Sequence, residues 1–392
     1  MAKAVELGLS RVAFSAVLFL YLLPLSAVVY GHSLTSWLFL IAFCAVSFFS
    51  WFAFKIVSSH NQKLTAADHS GLFVAPRMWL YLTAAGYCTI KFPSILSASS
   101  ALISGNISQV MLANAVNRYS GDFTGGSVVD VLALIFLFAF YCFWGSRIGI
   151  RTKGVMKWFP LFFALFSFFI ESLALARAGF LLALLCYFVE AIIRSNRWIE
   201  NSSVIKMSKL GFGIAAVAIS IFIFSAYFRV SDLPNAWEIV FGKMANYSIA
   251  SHDLFFLWFS SSDLSDLNWG LGSFTFVYKL AGIEFEQGFY EPMISKFGSS
   301  NLYLNLRGLV NDFGLPISLS LWCLNLLFIS YCTYSALTPI KYYFLRCSLA
   351  FLLFPFYSPF FFTNFSVGFV ASGIALIVFS RYRFKRSARL VV

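Results

Sequence analysis

Residues 156–194 form a stretch of 39 nearly continuous apolar residues, interrupted near its middle by Glu171 and Arg177. A helix that crosses the hydrocarbon core of a membrane needs about 20 apolar residues. The stretch is therefore too long for one membrane span and just long enough for two. Because charged side chains are costly inside the hydrocarbon core, they are accommodated more easily at its edge. The two charges predict a turn between two helices at the membrane surface.

Apolar runs of similar length recur along the whole chain. Hydrophobic residues make up 60% of the sequence and charged residues 11%, and the mean hydropathy is +0.81. These values lie outside the range of water-soluble proteins. We predict an all-α polytopic membrane protein, with one integral membrane domain over residues 1–392 and about ten transmembrane helices. The predicted spans are 12–30, 36–54, 72–90, 128–144, two within 156–194, 210–228, 313–334, 342–362 and 366–382.

Two polar segments interrupt the apolar runs, at residues 91–126 and 229–302. The first is rich in Ser, Asn and Gly, which is typical of a loop. The second contains Trp237, Trp258 and Trp269 together with many Phe residues. Such a composition is typical of short amphipathic helices that rest on a membrane surface. We predict that the larger loop is built from helices of this kind.

Lys and Arg residues are distributed unevenly between the two predicted sides of the membrane. With the N-terminus in the cytoplasm, 20 of the 28 lie on the cytoplasmic side, whereas 12 of the 16 carboxylates lie outside. Cytoplasmic loops carry an excess of basic residues, so we predict that both termini are cytoplasmic and that both long loops are outside. The net charge of +12 then faces the cytoplasm and anionic lipid heads. Nucleic acid is not a predicted partner.

Four arginines on the predicted outer side lie near span ends or in a loop: Arg118, Arg177, Arg229 and Arg307. A guanidinium holds phosphate through a rigid fork of donors and stays charged at any relevant pH. The four side chains could therefore converge on one anion, such as the diphosphate of a lipid. The alternative is that each arginine anchors a helix end at lipid phosphates or pairs with a nearby carboxylate.

A sugar hydroxyl is a poor nucleophile, and a transferase needs a base to take or orient its proton. His252 is a candidate because it is the one histidine in the larger loop, although such a residue is more often found at a surface or a helix end. The carboxylate candidates are Glu171, Asp232, Asp253, Glu284, Glu286, Glu291 and Asp312. The sequence has no metal or nucleotide motif, and its seven cysteines lack metal-ligand spacing, so we predict no cofactor and no metal.

The block from Ser299 to Gly314 reads SSNLYLNLRGLVNDFG. It resembles the TN-x-Y-T…R…DFG block of the O-antigen and capsular repeat-unit polymerases. The ALARAGFLLALL segment around Arg177 resembles the S-R-x-x-L turn of that family, and NRYSG in the first loop also fits. Leu304 stands where threonine is common in the family, which removes one hydroxyl.

The resemblance implies a fold similar to membrane glycosyltransferases of the GT-C type. It also implies transfer of a growing glycan from undecaprenyl diphosphate onto a new lipid-linked repeat unit, on the periplasmic face of the bacterial inner membrane. The implied partners are the undecaprenyl-diphosphate-linked oligosaccharide and membrane lipids, with a chain-length regulator and a flippase as further candidates. We assign catalytic roles to Arg177, Arg307, Asp312 and His252, and substrate binding to Arg118, Arg229, Asn301, Tyr303 and Glu171.

Two other functions fit a chain of this composition. An O-antigen ligase would share the donor and the architecture but use a lipid A core as acceptor. A transporter of lipid-linked sugar would move the same molecule without chemistry, and transporters tend to show internal repeats and broken helices. No internal repeat is obvious here and the charges cluster on one predicted face, so the transporter ranks below both enzymes.

Overall fold

In a computed structural model, the described residues are 9–61, 73–106, 109, 128–148, 158–173, 177–198, 223, 226–227, 230, 233–245, 249–262, 267–270, 281–282, 293–295, 298–300, 304–334, 337–354 and 364–388. In chain order the helices are α1 (Leu9–Val17), α2 (Leu23–Val28), α3 (Leu34–Asn61), α4 (Arg77–Ile90), α5 (Phe92–Ser104), α6 (Val128–Ser146), α7 (Phe159–Leu173), α8 (Arg177–Trp198), α9 (Ala236–Ala245), α10 (Ser251–Ser261), α11 (Asn305–Tyr334), α12 (Pro339–Leu353) and α13 (Asn364–Ala388). A π-helical turn, Leu18–Leu22, joins α1 to α2.

Three of the described helices are long and apolar enough to cross a membrane. The qualifying segments are Leu34–Ala53 of α3, Val129–Ser146 of α6 and Asn305–Cys332 of α11. Shorter apolar helices cover Val12–Val28, Phe159–Glu171 and Gly368–Ser380. The predicted helical fold is confirmed across these ranges, with one exception. A small antiparallel hairpin pairs β1 (Met293–Ser295) with β2 (Gly298–Ser300), with Ile294 opposite Ser299.

The described chain forms two compact units. The first contains the described parts of 72–240 and 364–392, and the second contains those of 5–71 and 241–363. In the first unit, α6 packs against α4, α8 and α13. Apart from Asp130 in its first turn, helix α6 is apolar on every side. Leu137, Phe138 and Phe140 are fully buried, as expected for a helix surrounded by others. Gly145 lets α8 approach closely, because a Cβ there would lie 2.5 Å from the carbonyl oxygen of Tyr187.

The predicted division of residues 156–194 into two helices is confirmed. Helix α7 ends at Leu173 and α8 begins at Arg177. The predicted loop at 91–126, by contrast, begins with helix α5. Pro93 lies in the first turn of α5, where a missing N–H costs least. Ile95 and Ala98 of α5 pack with Phe169 and Ile170 of α7, and this packing holds a serine-rich segment in a helix.

In the second unit, α11 packs against α1, α3 and α12. Trp322 of α11 is the anchor of this packing: its ring lies 4.9 Å from both Tyr21 and Phe43. Its indole N–H donates to Ser47 Oγ at 3.2 Å, which satisfies the polar end of a buried side chain. Tyr21 in turn donates its hydroxyl proton towards the carbonyl of Phe351, at the end of α12. Helix-end carbonyls lack intrahelical partners, so this contact caps α12.

Helix α10 lies within the predicted larger loop but is not the amphipathic surface helix that its composition predicted. Residues 251–256, 258 and 259 are buried, and only the C-terminal residues Ser260 and Ser261 are exposed. The sequence SHDLFFLWFSS has no charged face after Asp253, so the helix has little polar surface to present to water. It therefore packs inside the second unit, where contacts with α2 and α3 cover it.

Helix α11 is broken within its first half. Its backbone is helical from Asn305, eight residues before the predicted start of the span, but Gly314 has φ 72° and ψ 169°. Pro316 follows, which could not donate to the preceding turn in any case. Close to the break, the backbone N–H of Asn268 donates to the carbonyl oxygen of Asn311 at 3.0 Å.

Candidate functional site

The described residues contain five of the nine predicted site residues. Arg118, Arg229, Asn301 and Tyr303 lie outside them, as do the candidate bases Asp232, Glu284, Glu286 and Glu291. Glu171 and Arg177 belong to the first unit, whereas His252, Arg307 and Asp312 belong to the second. Arg177 is the first residue of α8. The convergence of Arg177 and Arg307 on one anion stays a prediction.

Arg307 lies in the first turn of α11 and stacks on an aromatic ring of α10. Its guanidinium carbon is 4.9 Å from the centre of the Trp258 ring. A cation over a tryptophan face contributes about 0.5–2 kcal/mol, depending on its exposure. The N–H donors of a guanidinium lie in its plane and bind an anion at the edge of the group. A contact through the flat face therefore does not compete with anion binding.

Asp312 is fully buried and lies two residues before the break at Gly314. Five residues separate it from Arg307, which places the two side chains about 140° apart around the helix. They are therefore not neighbours through their sequence spacing alone. Asp312 lies instead in the last turn of the helical segment that ends at Gly314.

His252 is buried and links α10 to the π-helical turn Leu18–Leu22. Its Nε2 lies 2.9 Å from the carbonyl oxygen of Leu20. Because a carbonyl can only accept, Nε2 is the donor. Ser251 Oγ lies 3.3 Å from the other ring nitrogen, Nδ1. His252 and Trp258 are six residues apart, which places them about 120° apart around α10. The structure does not bring His252 to the face of α10 on which Arg307 stacks.

A second histidine, His32, forms a pair that the sequence analysis did not anticipate. Its Nε2 lies 2.8 Å from Asp253 Oδ1, and 5% and 0% of the two side chains are exposed. Ser33 Oγ and Ser36 Oγ of the same turn lie 2.8 and 3.0 Å from Ser260 Oγ. Through these contacts the turn between α2 and α3 is hydrogen-bonded to both the first and the last turn of α10. The predicted topology places the turn at residues 31–35, which contains His32, on the same side of the membrane as the larger loop, which contains Asp253. This shared side was the one indication of the pair in the sequence.

In the first unit, Glu171 lies in a polar cluster at the end of α4. Glu171 is 1% exposed, and its Oε1 accepts a hydrogen bond from the Tyr87 hydroxyl at 2.7 Å. Lys91, one helical turn beyond Tyr87, forms a 3.0 Å salt bridge with Asp130 of α6. A buried carboxylate needs partners of this kind, because an isolated charge in an apolar interior is strongly unfavourable.

Replacing Tyr87 with phenylalanine is expected to destabilise the protein by about 1–3 kcal/mol, because the variant removes the donor from a buried carboxylate. Thermal unfolding of the purified protein in detergent would measure the effect. Tyr81→Phe, on the same helix, is the matched control: Tyr81 is half-buried and its ring contacts Phe159 edge-on. The control should change stability by no more than about 0.5 kcal/mol. Equal effects of both variants would contradict the proposed importance of the Tyr87–Glu171 bond.

The fold and the apolar helices define a class, that of helical membrane proteins. In the comparisons with known proteins, no family model, no curated protein and no solved structure matches this chain. Within the described residues, no group of three or more His, Cys, Asp or Glu side chains is arranged to hold a metal ion.

Proposed function

We propose that this chain is an inner-membrane polysaccharide polymerase with about ten transmembrane helices and a GT-C-like architecture. Both termini are cytoplasmic, and the active site opens to the periplasm. The enzyme transfers a growing glycan from undecaprenyl diphosphate onto a new undecaprenyl-diphosphate-linked repeat unit. It works without a nucleotide sugar or a cofactor.

The observation that carries the proposal is the Arg307–Trp258 contact at the start of a broken apolar helix. Arg307 begins a helix of membrane-crossing length, so its charge belongs at the edge of the hydrocarbon core, where lipid diphosphates lie. Asp312 and Gly314 follow five and seven residues later, within about two helical turns. These residues belong to the block that resembles the repeat-unit polymerases. Arg307 supplies a positive charge for a departing diphosphate, and Asp312 supplies a buried carboxylate on the same helix.

The reaction breaks the bond between the anomeric carbon of the growing glycan and an oxygen of the donor's diphosphate. An acceptor hydroxyl oxygen forms the new bond to that carbon and gives up its proton to a base, for which Asp312 is the candidate. The bond electrons leave with the diphosphate, whose growing negative charge the guanidinium group of Arg307 stabilises; Arg177 is the second candidate for this role from the sequence. Positioning and charge stabilisation are then the main contributions of the protein.

Incubation of the purified protein with a lipid-linked repeat unit alone would test the proposal. We expect a ladder of products that differ by one repeat unit, formed without added nucleotide or metal. Release of undecaprenyl diphosphate should match the number of new linkages. Folded protein that consumes no substrate under these conditions would overturn the proposal.

One observation favours the transporter as a second candidate function. The break at Gly314 lies inside the candidate span Asn305–Cys332, and broken membrane helices are typical of transporter substrate sites. Reconstitution into vesicles would separate the two functions. A transporter would move the lipid-linked sugar across the bilayer and leave its length unchanged, whereas a polymerase would lengthen the glycan on one side.

Both key arginines are expected to be reached from the periplasm. In a variant with its native cysteines replaced, Arg177→Cys and Arg307→Cys should react with a membrane-impermeant maleimide in intact spheroplasts. Arg147→Cys, in a predicted cytoplasmic turn after α6, should react only after the membrane is permeabilised. Labelling of positions 177 and 307 from opposite compartments would rule out a shared diphosphate site.

A further inference from the structure

An apolar groove of about 540 Å³ lies between α3 and α11 in the second unit. Its lining comes from three residues of α3 and four of α11: Ala45, Val46, Phe49, Leu319, Ser320, Cys323 and Leu324. The small side chains of Ala45 and Ser320 leave the space, and the exposed rings and chains of Phe49 and Leu324 flank it.

The polar atoms of the groove are satisfied within the protein. Ser320 Oγ donates to the carbonyl oxygen of Pro316 at 2.9 Å, one turn earlier on the same helix. Cys323 Sγ accepts from Ser50 Oγ at 3.2 Å, across the two helices. An occupant therefore gains nothing from carrying hydrogen-bonding groups. A peptide segment would leave its own backbone groups unsatisfied there, whereas a hydrocarbon chain has none to satisfy.

The position of the groove along its helices points to the same kind of occupant. Both helices contain candidate membrane spans, Leu34–Ala53 and Asn305–Cys332, and the groove residues lie well inside both. Exposed apolar side chains surround the groove on α3, with Ile41 61% and Phe48 56% exposed. A groove in the middle of two membrane-spanning segments faces the hydrocarbon core of the membrane, so its surroundings are lipid chains.

The same helix connects the groove to Arg307. Leu319 follows Arg307 by twelve residues on α11, and the break at Gly314 and Pro316 lies between them. A cation at the edge of the membrane, with an apolar groove deeper along the same helix, matches an amphiphile with an anionic head and a long apolar tail. Ordinary acyl chains would match the groove alone.

We propose that the groove between α3 and α11 binds the polyisoprenoid tail of the diphosphate-linked substrate, with the diphosphate at Arg307. This inference rests on the proposed function for the identity of the substrate, and it adds the place where the tail lies. The tail makes dispersion contacts with the groove walls and no hydrogen bonds. Its role is to hold the diphosphate in register with the guanidinium while the glycan is transferred.

Photo-crosslinking would test the groove directly. The purified protein in phospholipid nanodiscs is illuminated with a polyprenyl diphosphate that carries a benzophenone on its isoprenoid tail. We expect labelling of peptides that contain residues 45–49 and 319–324. Ala45→Trp and Ser320→Trp, on opposite walls, should each reduce this labelling about tenfold, because an indole ring leaves no room for a second chain. Both residues are exposed at the surface of the protein, so both variants should fold.

Ile374→Trp is the matched control, because Ile374 is 51% exposed on α13 and does not line the groove. It should leave the labelling unchanged. Unlabelled undecaprenyl diphosphate should compete, whereas the excess phospholipid of the nanodisc should not. Equal labelling by a photoreactive phospholipid, without competition, would overturn the inference in favour of ordinary membrane lipid. A glycan ladder without groove labelling would overturn the proposed tail site but not the proposed polymerase activity. Groove labelling without a ladder would overturn the polymerase activity but not the binding of a polyisoprenoid tail in the groove.

Discussion

Replacing Arg307 with alanine is expected to lower polymer formation by about 100- to 1,000-fold, the usual effect of removing one group that stabilises charge in a transition state. In the proposed reaction the diphosphate leaves with more negative charge than it has in the bound donor, and the Arg307 guanidinium stabilises that charge. The Trp258 ring, 4.9 Å from the guanidinium carbon, helps to hold the side chain in place. Product ladders from the purified variant, quantified over time, would measure the loss. The amount of folded protein should not change.

Lys341→Ala provides a matched control for the arginine variant. Lys341 Nζ lies 4.9 Å from the ring centre of Tyr331, so this variant also removes a cation from an aromatic face, but outside the proposed site. It should polymerise normally. Arg307→Lys should fail like the alanine variant, because an ammonium lacks the planar donor fork. Arg177→Ala should also lose polymer. Near-normal ladders from both Arg177→Ala and Arg307→Ala would remove the active-site assignment.

Gly314→Ala is expected to destabilise the protein by about 1–3 kcal/mol and to reduce polymer formation, because alanine does not adopt the backbone conformation found there. With φ 72° and ψ 169°, Gly314 occupies a region that is essentially restricted to glycine. Space is not the obstacle, since a Cβ would lie 3.5 Å from the nearest atom of Leu267. Either the strain persists or the helix straightens and moves Arg307 and Asp312 relative to each other.

Thermal unfolding in detergent and the ladder assay would measure the two effects of Gly314→Ala. Gly242→Ala is the control: Gly242 lies inside helix α9, and a Cβ there meets nothing within 4 Å. Alanine favours a helix over glycine by about 1 kcal/mol, so this variant should be neutral or slightly stabilising. A Gly314→Ala protein as stable and active as the wild type would show that the break is not needed.

The helical elements were largely predictable because their signal is local. Glu171 and Arg177 interrupt a long apolar run, and the helices end and begin within a few residues of them. The start of α11 was placed at residue 313, too late, because the polar residues of the preceding block were taken as loop. Asn305 is in fact buried, donating its Nδ2 hydrogens to Phe351 O at 2.9 Å and to Tyr21 Oη at 3.1 Å. Those partners are far away in sequence, so no local pattern could indicate them.

The contacts of the candidate site were not predictable for the same reason. The pairing of His32 with Asp253 joins residues 221 positions apart. The contact of Arg307 with Trp258 depends on a helix, α10, that was expected on the membrane surface and is buried instead. Burial of α10 depends on which helices surround it. Composition reports that a segment is apolar, but it does not report whether lipid or protein covers it.

The sequence by itself determined that this chain is helical and apolar enough for a membrane, where charge is tolerated along it, and which arginines and carboxylates are candidates for chemistry. These properties follow from composition and spacing, which act over one or two helical turns. Only the tertiary structure decided that Arg307 stacks on Trp258, that His252 donates to Leu20 and that α11 breaks at Gly314. These depend on packing between distant segments, where each side chain's environment is set by neighbours that the local sequence does not contain.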